Sequence, residues 1–317
     1  MRPFPKTFWL GLFLIAALDA LLWYDLSSSQ RGVVHNDDQI KAILNRPPAT
    51  PVGRLARQVA INITALAWPA YIVLLEGILT NQQAPSPVRA RKHHFALLCL
   101  ASIFIWCVFD AVNFRGGMLA WEYIGVPDVF RDRLLGYLLA FACVVPSMLM
   151  SGQVLLNLGI FNRFRARPWQ LSNRIWCLIL AIGAAMCIWP IVQPRPIANL
   201  TLWTSLVFLL DPLNYKLGRP SLLRDWTNGW YGRTAALFAG GLICGFLWEF
   251  WNYWALAKWV YHLSFLGPLE HVKYFEMPLV GLLGFLPFGA ECWVMWQTMR
   301  IPFDGLCEQL PSDSCLL

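Results

Sequence analysis

Two short stretches place a carboxylate among aromatic rings in otherwise apolar sequence. One is WEFWNYW at 248–254, where Glu249 and Asn252 stand among Trp248, Phe250, Trp251, Tyr253 and Trp254. The other is WCVFDAVNF at 106–114, with Asp110 and Asn113. In each the acid precedes an asparagine by three residues, which puts both on one face of a helix. In each a Trp-x-Tyr follows, Trp121 and Tyr123 after the first and Trp259 and Tyr261 after the second. Ionisable groups cost about 2.5–3.5 kcal/mol at the centre of a bilayer helix, and they mark function by default. The other acids in apolar surroundings are Asp19, Glu76, Asp211, Glu276 and Glu291.

Acids held among Trp, Tyr and Phe suit reactions that pass through cations. Desolvation raises a carboxyl pKa. A protonated carboxyl group can then donate to an alkene, and aromatic faces stabilise the cation that forms. Isoprenoids and carotenoids are such substrates and reach their enzymes from the bilayer. Glu249 and Glu276 are the first candidates for the acid or base, with Glu291 and Asp110 next. Asn113 and Asn252 would orient these groups. Trp121, Tyr123, Trp248, Trp251, Tyr253, Trp259 and Tyr261 would line the substrate pocket.

Plainer readings stay open for several of these residues. The tryptophans could form an interfacial belt. Glu76 and Asp211 could mark helix ends, and Asp19 could hydrogen-bond a neighbouring helix. Glu276 could be stabilised by a helix N-terminus. Glu291 is harder to explain as packing, because it follows Pro287, which frees a backbone carbonyl. Phosphate-binding loops, Asp-rich magnesium motifs, serine-nucleophile motifs and haem His pairs are absent. No metal and no cofactor is expected. A proton-coupled transporter or lipid-binding protein on the same scaffold is the competing reading.

The elements that must position these residues are apolar helices. The chain has 317 residues, 57% hydrophobic and 14% charged. That is an integral membrane composition. A span needs roughly 20 mostly apolar residues, and eight candidates lie near 8–26, 57–78, 94–113, 133–158, 174–192, 196–214, 235–257 and 275–299. The first contains Asp19, lacks a small-residue cleavage site after it, and reads as a retained helix. The nine cysteines have no metal spacing and read mainly as small buried residues. His93 and His94, beside Arg91 and Lys92, read as membrane-surface residues. The net charge of +7 reflects topology, not nucleic-acid binding. Fourteen Lys and Arg fall on the side of the termini and eleven on the other. That places both termini in the cytoplasm, with a bacterial inner (plasma) membrane as the expected location and the lipid bilayer and an apolar lipid or isoprenoid as the expected partners.

The two halves match in order. Trp9 to Trp23 parallels Trp176 to Trp189. Asn62-Ile-Thr64 before Leu-Leu-Glu76 parallels Asn199-Leu-Thr201 before Leu-Leu-Asp211, and Pro146 parallels Pro287. The expected architecture is all-α, with two four-helix repeats of parallel orientation, 1–158 and 174–300. A basic linker at 159–173 joins them, and a tail follows at 301–317. Gly240, Gly241, Gly245, Gly281 and Gly284 would allow close helix contact.

At these residues the chain resembles the lycopene-cyclase domain, a three-helix membrane unit found in pairs in carotenoid cyclases. The first copy spans 60–152, with LLEG at 74–77, FD at 109–110, WEY at 121–123 and VPDVFRDRLLGYLLAFACVVP at 126–146. The second spans 197–298, with LLDP at 209–212, WE at 248–249, WVY at 259–261 and FEMPLVGLLGFLP at 275–287. The resemblance implies acid-catalysed cyclisation, isomerisation or hydration of an isoprenoid, without a redox cofactor. The family's Pro-x-Glu-Glu signature is not kept. Asp128 and Asp132 stand in its place in the first copy and Glu276 in the second. Each copy also gains a leading helix.

Overall fold

The computed structural model describes residues 3–84, 86–305 and 315–317. Residues 306–314 of the expected tail, and Arg2 of the charge count, lie outside them. The described chain is mainly helical, with almost no sheet, and eight segments are long and apolar enough to cross a membrane. They fall where the hydropathy pattern puts them. The helices are α1 (Lys6–Ser28), α2 (Asp37–Leu44), α3 (Pro51–Asn81), α4 (Lys92–Asn113), α5 (Phe130–Asn157) and α6 (Asn173–Val192). After them come α7 (Asn199–Leu202), α8 (Ser205–Lys216), α9 (Leu222–Thr227), α10 (Gly232–Trp254), α11 (Leu279–Leu282) and α12 (Phe285–Met299). Four short strands complete the list: β1 (Trp121–Ile124), β2 (Lys258–Tyr261), β3 (Lys273–Tyr274) and β4 (Met277–Pro278).

Local chemistry sets several boundaries. Thr50 caps α3 by accepting from Gly53 N at 3.0 Å, with Pro51 at the first helical position. Ser172 caps α6 through Ile175 N at 3.3 Å. Two spans are not continuous. The sixth is broken at Trp203–Thr204 between α7 and α8, and the eighth at Leu283–Gly284 between α11 and α12. The eighth was expected from 275 but begins at Leu279, because 273–278 fold as the β3–β4 hairpin. Asn62 has non-helical dihedrals (φ −112°, ψ 16°) and kinks α3.

The pairwise packing has a regular pattern. Helix α1 lies along α3, and α6 lies along α8. Helix α4 packs on α5, and α10 packs on α12. Helix α5 also contacts α3, and α12 also contacts α8. The centre is α10, held between α5 and α12 at two adjacent glycines. A Cβ on Gly240 would collide with Met148 O and Gly152, and one on Gly241 with Phe285 O. Gly245 lies against the Phe285 ring. These three meet the expectation of close helix contact.

Two minor expectations fail. His94 is buried, with Nδ1 3.2 Å from Arg91 and its ring against Trp296, so it belongs to the core and not to the membrane surface. Cys107 and Cys177 are exposed on apolar helices instead of buried, because their positions face away from the neighbouring helices.

The glycine contacts are directly testable. Gly241→Ala forces a methyl group into the α12 backbone and is expected to destabilise by about 1–3 kcal/mol. Gly136→Ala on α5 meets open space and is expected to be neutral or to stabilise by up to about 1 kcal/mol. Thermal unfolding in detergent separates the two.

Candidate functional site

Most of the candidate residues gather where α4 and α10 end and the chain turns back as two strands. β1 and β2 form an antiparallel ribbon with Trp121 opposite Tyr261, Glu122 opposite Val260, Tyr123 opposite Trp259 and Ile124 opposite Lys258. Side chains alternate faces along a strand, and directly opposed residues share a face. Trp121, Tyr123, Trp259 and Tyr261 therefore lie on one face of the ribbon. Glu122, Ile124, Lys258 and Val260 lie on the other.

An isolated ribbon has two bare edges, and the asparagines fill part of each. Asn113 Oδ1 accepts from Ala120 N at 2.8 Å and Trp121 N at 3.2 Å, and its Nδ2 donates to Trp121 O at 2.7 Å. Asn252 Oδ1 accepts from Trp259 N at 2.9 Å, and its Nδ2 donates to Trp259 O at 2.8 Å. Each side-chain amide replaces a missing strand. Both asparagines are fully buried and spend their donors and acceptors on the backbone. Their role here is to seat the strands.

The acids lie under the aromatic face, and each is joined to a tyrosine and a tryptophan. Tyr261 Oη donates to Glu249 Oε1 at 2.7 Å and accepts from Trp259 Nε1 at 2.8 Å. Tyr123 Oη donates to Asp110 Oδ1 at 3.0 Å and accepts from Trp106 Nε1 at 3.0 Å. Trp121 Nε1 donates to Asp110 Oδ1 at 3.1 Å. The chain tryptophan, tyrosine, carboxylate thus occurs twice. Glu249 is fully buried, and its Oε2 has no hydrogen-bond partner among the described residues. Burial first, and then the adjacent carboxylate, holds both tyrosine hydroxyls well above their ordinary pKa. Both stay protonated and remain donors.

Two cavities flank this network and share Trp106, Trp248 and Trp259 as a common wall. The first has a volume of about 100 Å³ and reaches Trp121, Tyr261, Trp203 and Phe285. The second has a volume of about 120 Å³ and reaches Tyr123, Trp68, Tyr137 and Phe141. The helix interruptions line them: Trp203 and Gly284 the first, Asn62 the second. Irregular backbone at membrane depth is tolerated where it borders a cavity.

The opposite face of the ribbon is covered by the connection between α1 and α3. Asp25 accepts from Arg31 Nε at 2.6 Å and Arg57 Nε at 2.7 Å, which fastens that connection at both ends. Asp37 Oδ1 accepts from Gly125 N at 2.7 Å. Lys258 is fully buried, donates to Val34 O at 3.1 Å and Tyr253 O at 3.2 Å, and pairs with Glu276. Burial pulls its ammonium below the usual lysine pKa, and Glu276 opposes that shift. Glu276 sits in the β3–β4 turn beside Phe275, whose φ of 55° is unusual for a bulky residue.

The expected site residues divide accordingly. Trp121, Tyr123, Trp248, Trp259 and Tyr261 line cavities, with Glu249 and Asp110 directly behind the tyrosines. Trp248 and Trp251 are buried, so they are core and not a belt. Trp251 Nε1 donates to Asp19 at 3.1 Å, the interhelical bond anticipated for that acid. Tyr253 packs on Trp254 and Phe275, outside both cavities. Glu276 is committed to Lys258. Glu291 is buried on α12 and accepts from Leu206 N at 2.8 Å, which caps the restarted α8. No hydrogen bond among the described residues joins it to Asp110 or Glu249. Asp211 accepts from Leu222 N and Leu223 N, both at 2.8 Å, and so caps α9. The residues missed were Trp106, Trp203, Phe285, Arg133 and Lys258. Trp106 was within reach of sequence reasoning, since it lies one helical turn before Asp110.

No family model, curated protein or solved structure matches the chain.

The buried pair gives a clear expectation. Lys258→Met and Glu276→Gln each leave a buried group without its partner, and each is expected to cost about 3–5 kcal/mol. The double variant should recover much of that loss. A double-mutant cycle by chemical unfolding checks it, and strictly additive losses would remove the pair from the argument.

Proposed function

We propose that the protein is a polytopic membrane enzyme that acts on an isoprenoid or carotenoid-like lipid by acid catalysis. The observation that carries this reading is the doubled chain of tryptophan, tyrosine and carboxylate at the walls of two aromatic cavities. Tyr261 is the member of its unit that lines the first cavity. In the reactive state Glu249 is protonated and donates to Tyr261 Oη, the reverse of the bond described above, so the hydroxyl proton passes to an alkene carbon while the carboxyl proton replaces it. A new C–H bond forms from the π electrons, and a cation is left on the neighbouring carbon. Trp106, Trp248 and Trp259 face that cation. Return of a proton along the same path regenerates the acid, so cyclisation or isomerisation needs no oxidant. Attack by water gives hydration. Asp110 with Tyr123 forms the equivalent unit beside the second cavity. The resemblance to the lycopene-cyclase domain supports the same chemistry, with the lost Pro-x-Glu-Glu acids replaced in role by Glu249 and Asp110.

The same reading treats the chain as two four-helix repeats of parallel orientation, 1–158 and 174–300. The equivalent packing of α1 on α3 and α6 on α8 supports it. So does the ribbon register. If Trp121 corresponds to Trp259 and Tyr123 to Tyr261, the two pairings Trp121–Tyr261 and Tyr123–Trp259 exchange under a twofold axis. That axis would run along the membrane normal. The charge count supports cytoplasmic termini, in a bacterial inner membrane.

One feature favours a second reading. Interrupted helices that line a cavity are common in transporters, so proton-coupled transport of a lipid would also use these acids.

The test is expression in a bacterium engineered to accumulate linear carotenoids, followed by purification in detergent and mass spectrometry of the extracted lipids. Wild type is expected to alter an isoprenoid. Glu249→Gln and Tyr261→Phe are expected to lose at least about 100-fold in turnover, and Glu291→Gln much less. Full turnover by Glu249→Gln would overturn the assignment. Transport abolished by an uncoupler, with no altered lipid, would favour the second reading.

A further inference from the structure

The two cavities share a wall but differ at their mouths. No charged side chain lines the first, and Asn199 is among its few polar groups. Asp132, Arg133 and Lys258 line the second, together with Asn62 and Thr64. Lys258 is paired with Glu276. Asp132 is half exposed and bonded to Arg131 at 3.1 Å. Arg133 differs from both. Its guanidinium lies over the Phe130 and Tyr137 rings, 5.7 and 5.8 Å from their centroids. Its Nε is buried and has no hydrogen-bond partner among the described residues, and no ion pair is recorded for it there. Arg133 also belongs to the first turn of α5, where the helix dipole adds positive potential. That turn opens a helix long and apolar enough to cross a membrane, and the ends of such a span lie near the lipid head groups. Behind it the cavity is lined by Trp68, Phe141, Val144 and the shared tryptophans.

We propose that the second cavity is a binding site for a single-chain amphiphile with an anionic head, the chain against the tryptophan wall and the head on Arg133. The cavity is narrow, with a volume of about 120 Å³. That favours one chain over the two of a bilayer phospholipid. A charge-assisted bond from a planar guanidinium suits a carboxylate or a phosphate. The site does not depend on the acid-catalysis reading, because a ligand held there need not react.

The test uses the full chain in phosphatidylcholine nanodiscs and radiolabelled oleate, oleyl phosphate and oleyl alcohol, which share one apolar chain and differ in the head. Oleate or oleyl phosphate is expected to bind at least about tenfold more tightly than the alcohol, and the preferred anion separates a fatty acid from a phosphate lipid. Arg133→Gln should erase the difference, and Arg133→Lys should restore part of it. Gly136→Leu provides a second control. Gly136 lines this cavity, and a Cβ there meets open space. The larger side chain should fill the cavity without disturbing α5 and abolish binding of all three probes. Equal affinity for anion and alcohol would overturn the proposal. So would unchanged anion binding by Arg133→Gln or by Gly136→Leu.

Discussion

A backbone that leaves helical geometry inside an apolar bundle must find new partners for its amides and carbonyls. That requirement governs the centre of this protein. The β1–β2 ribbon satisfies its inner edges by pairing, and Asn113 and Asn252 satisfy part of its outer edges. Once the strands are seated, period-two alternation turns all four aromatic side chains toward the acids at the ends of α4 and α10. The hydrogen bonds from Tyr123 and Tyr261 then become possible. The asparagines are therefore as central to the site as the carboxylates, though they line neither cavity themselves.

The same requirement explains where the cavities form. Helix α3 kinks at Asn62, and the sixth and eighth spans restart at Thr204 and Gly284. Each interruption borders one of the two cavities. Glu291 repairs one of them by capping the start of α8 through Leu206 N. A buried acid that looks catalytic in sequence thus serves the fold, while the space that it helps to open serves the site.

Much of this was legible beforehand. Eight spans follow from hydropathy, because twenty apolar residues leave few alternatives. The acid-x-x-Asn and Trp-x-Tyr spacing also picked out residues that the fold brings together, since local periodicity fixes which residues share a face. What the sequence hid was long-range pairing. Nothing local says that Trp121 lies opposite Tyr261, or that Lys258 is buried under the α1–α3 connection. The strands are four residues long, too short to announce themselves beside helices of twenty or more. Glu276 was misjudged for a related reason. It was expected to open a helix, but the chain forms a hairpin there, and Lys258, invisible as a partner at a separation of 18 residues, takes the carboxylate.

The register of the ribbon also bears on how such a chain could arise. Glu122 lies opposite Val260, and under the proposed correspondence these two positions are equivalents, so the twofold axis passes between them. Among the described residues β1 and β2 pair only with each other, so under that correspondence each strand would find its partner in the other half, and each cavity would draw its wall from both halves. A single ancestral unit could have made this ladder only by pairing with a second copy about the same axis. Fusion through a basic linker would have made that dimer permanent. It would also have freed the two cavities to diverge, one losing its charged mouth and the other keeping an arginine at the head-group level.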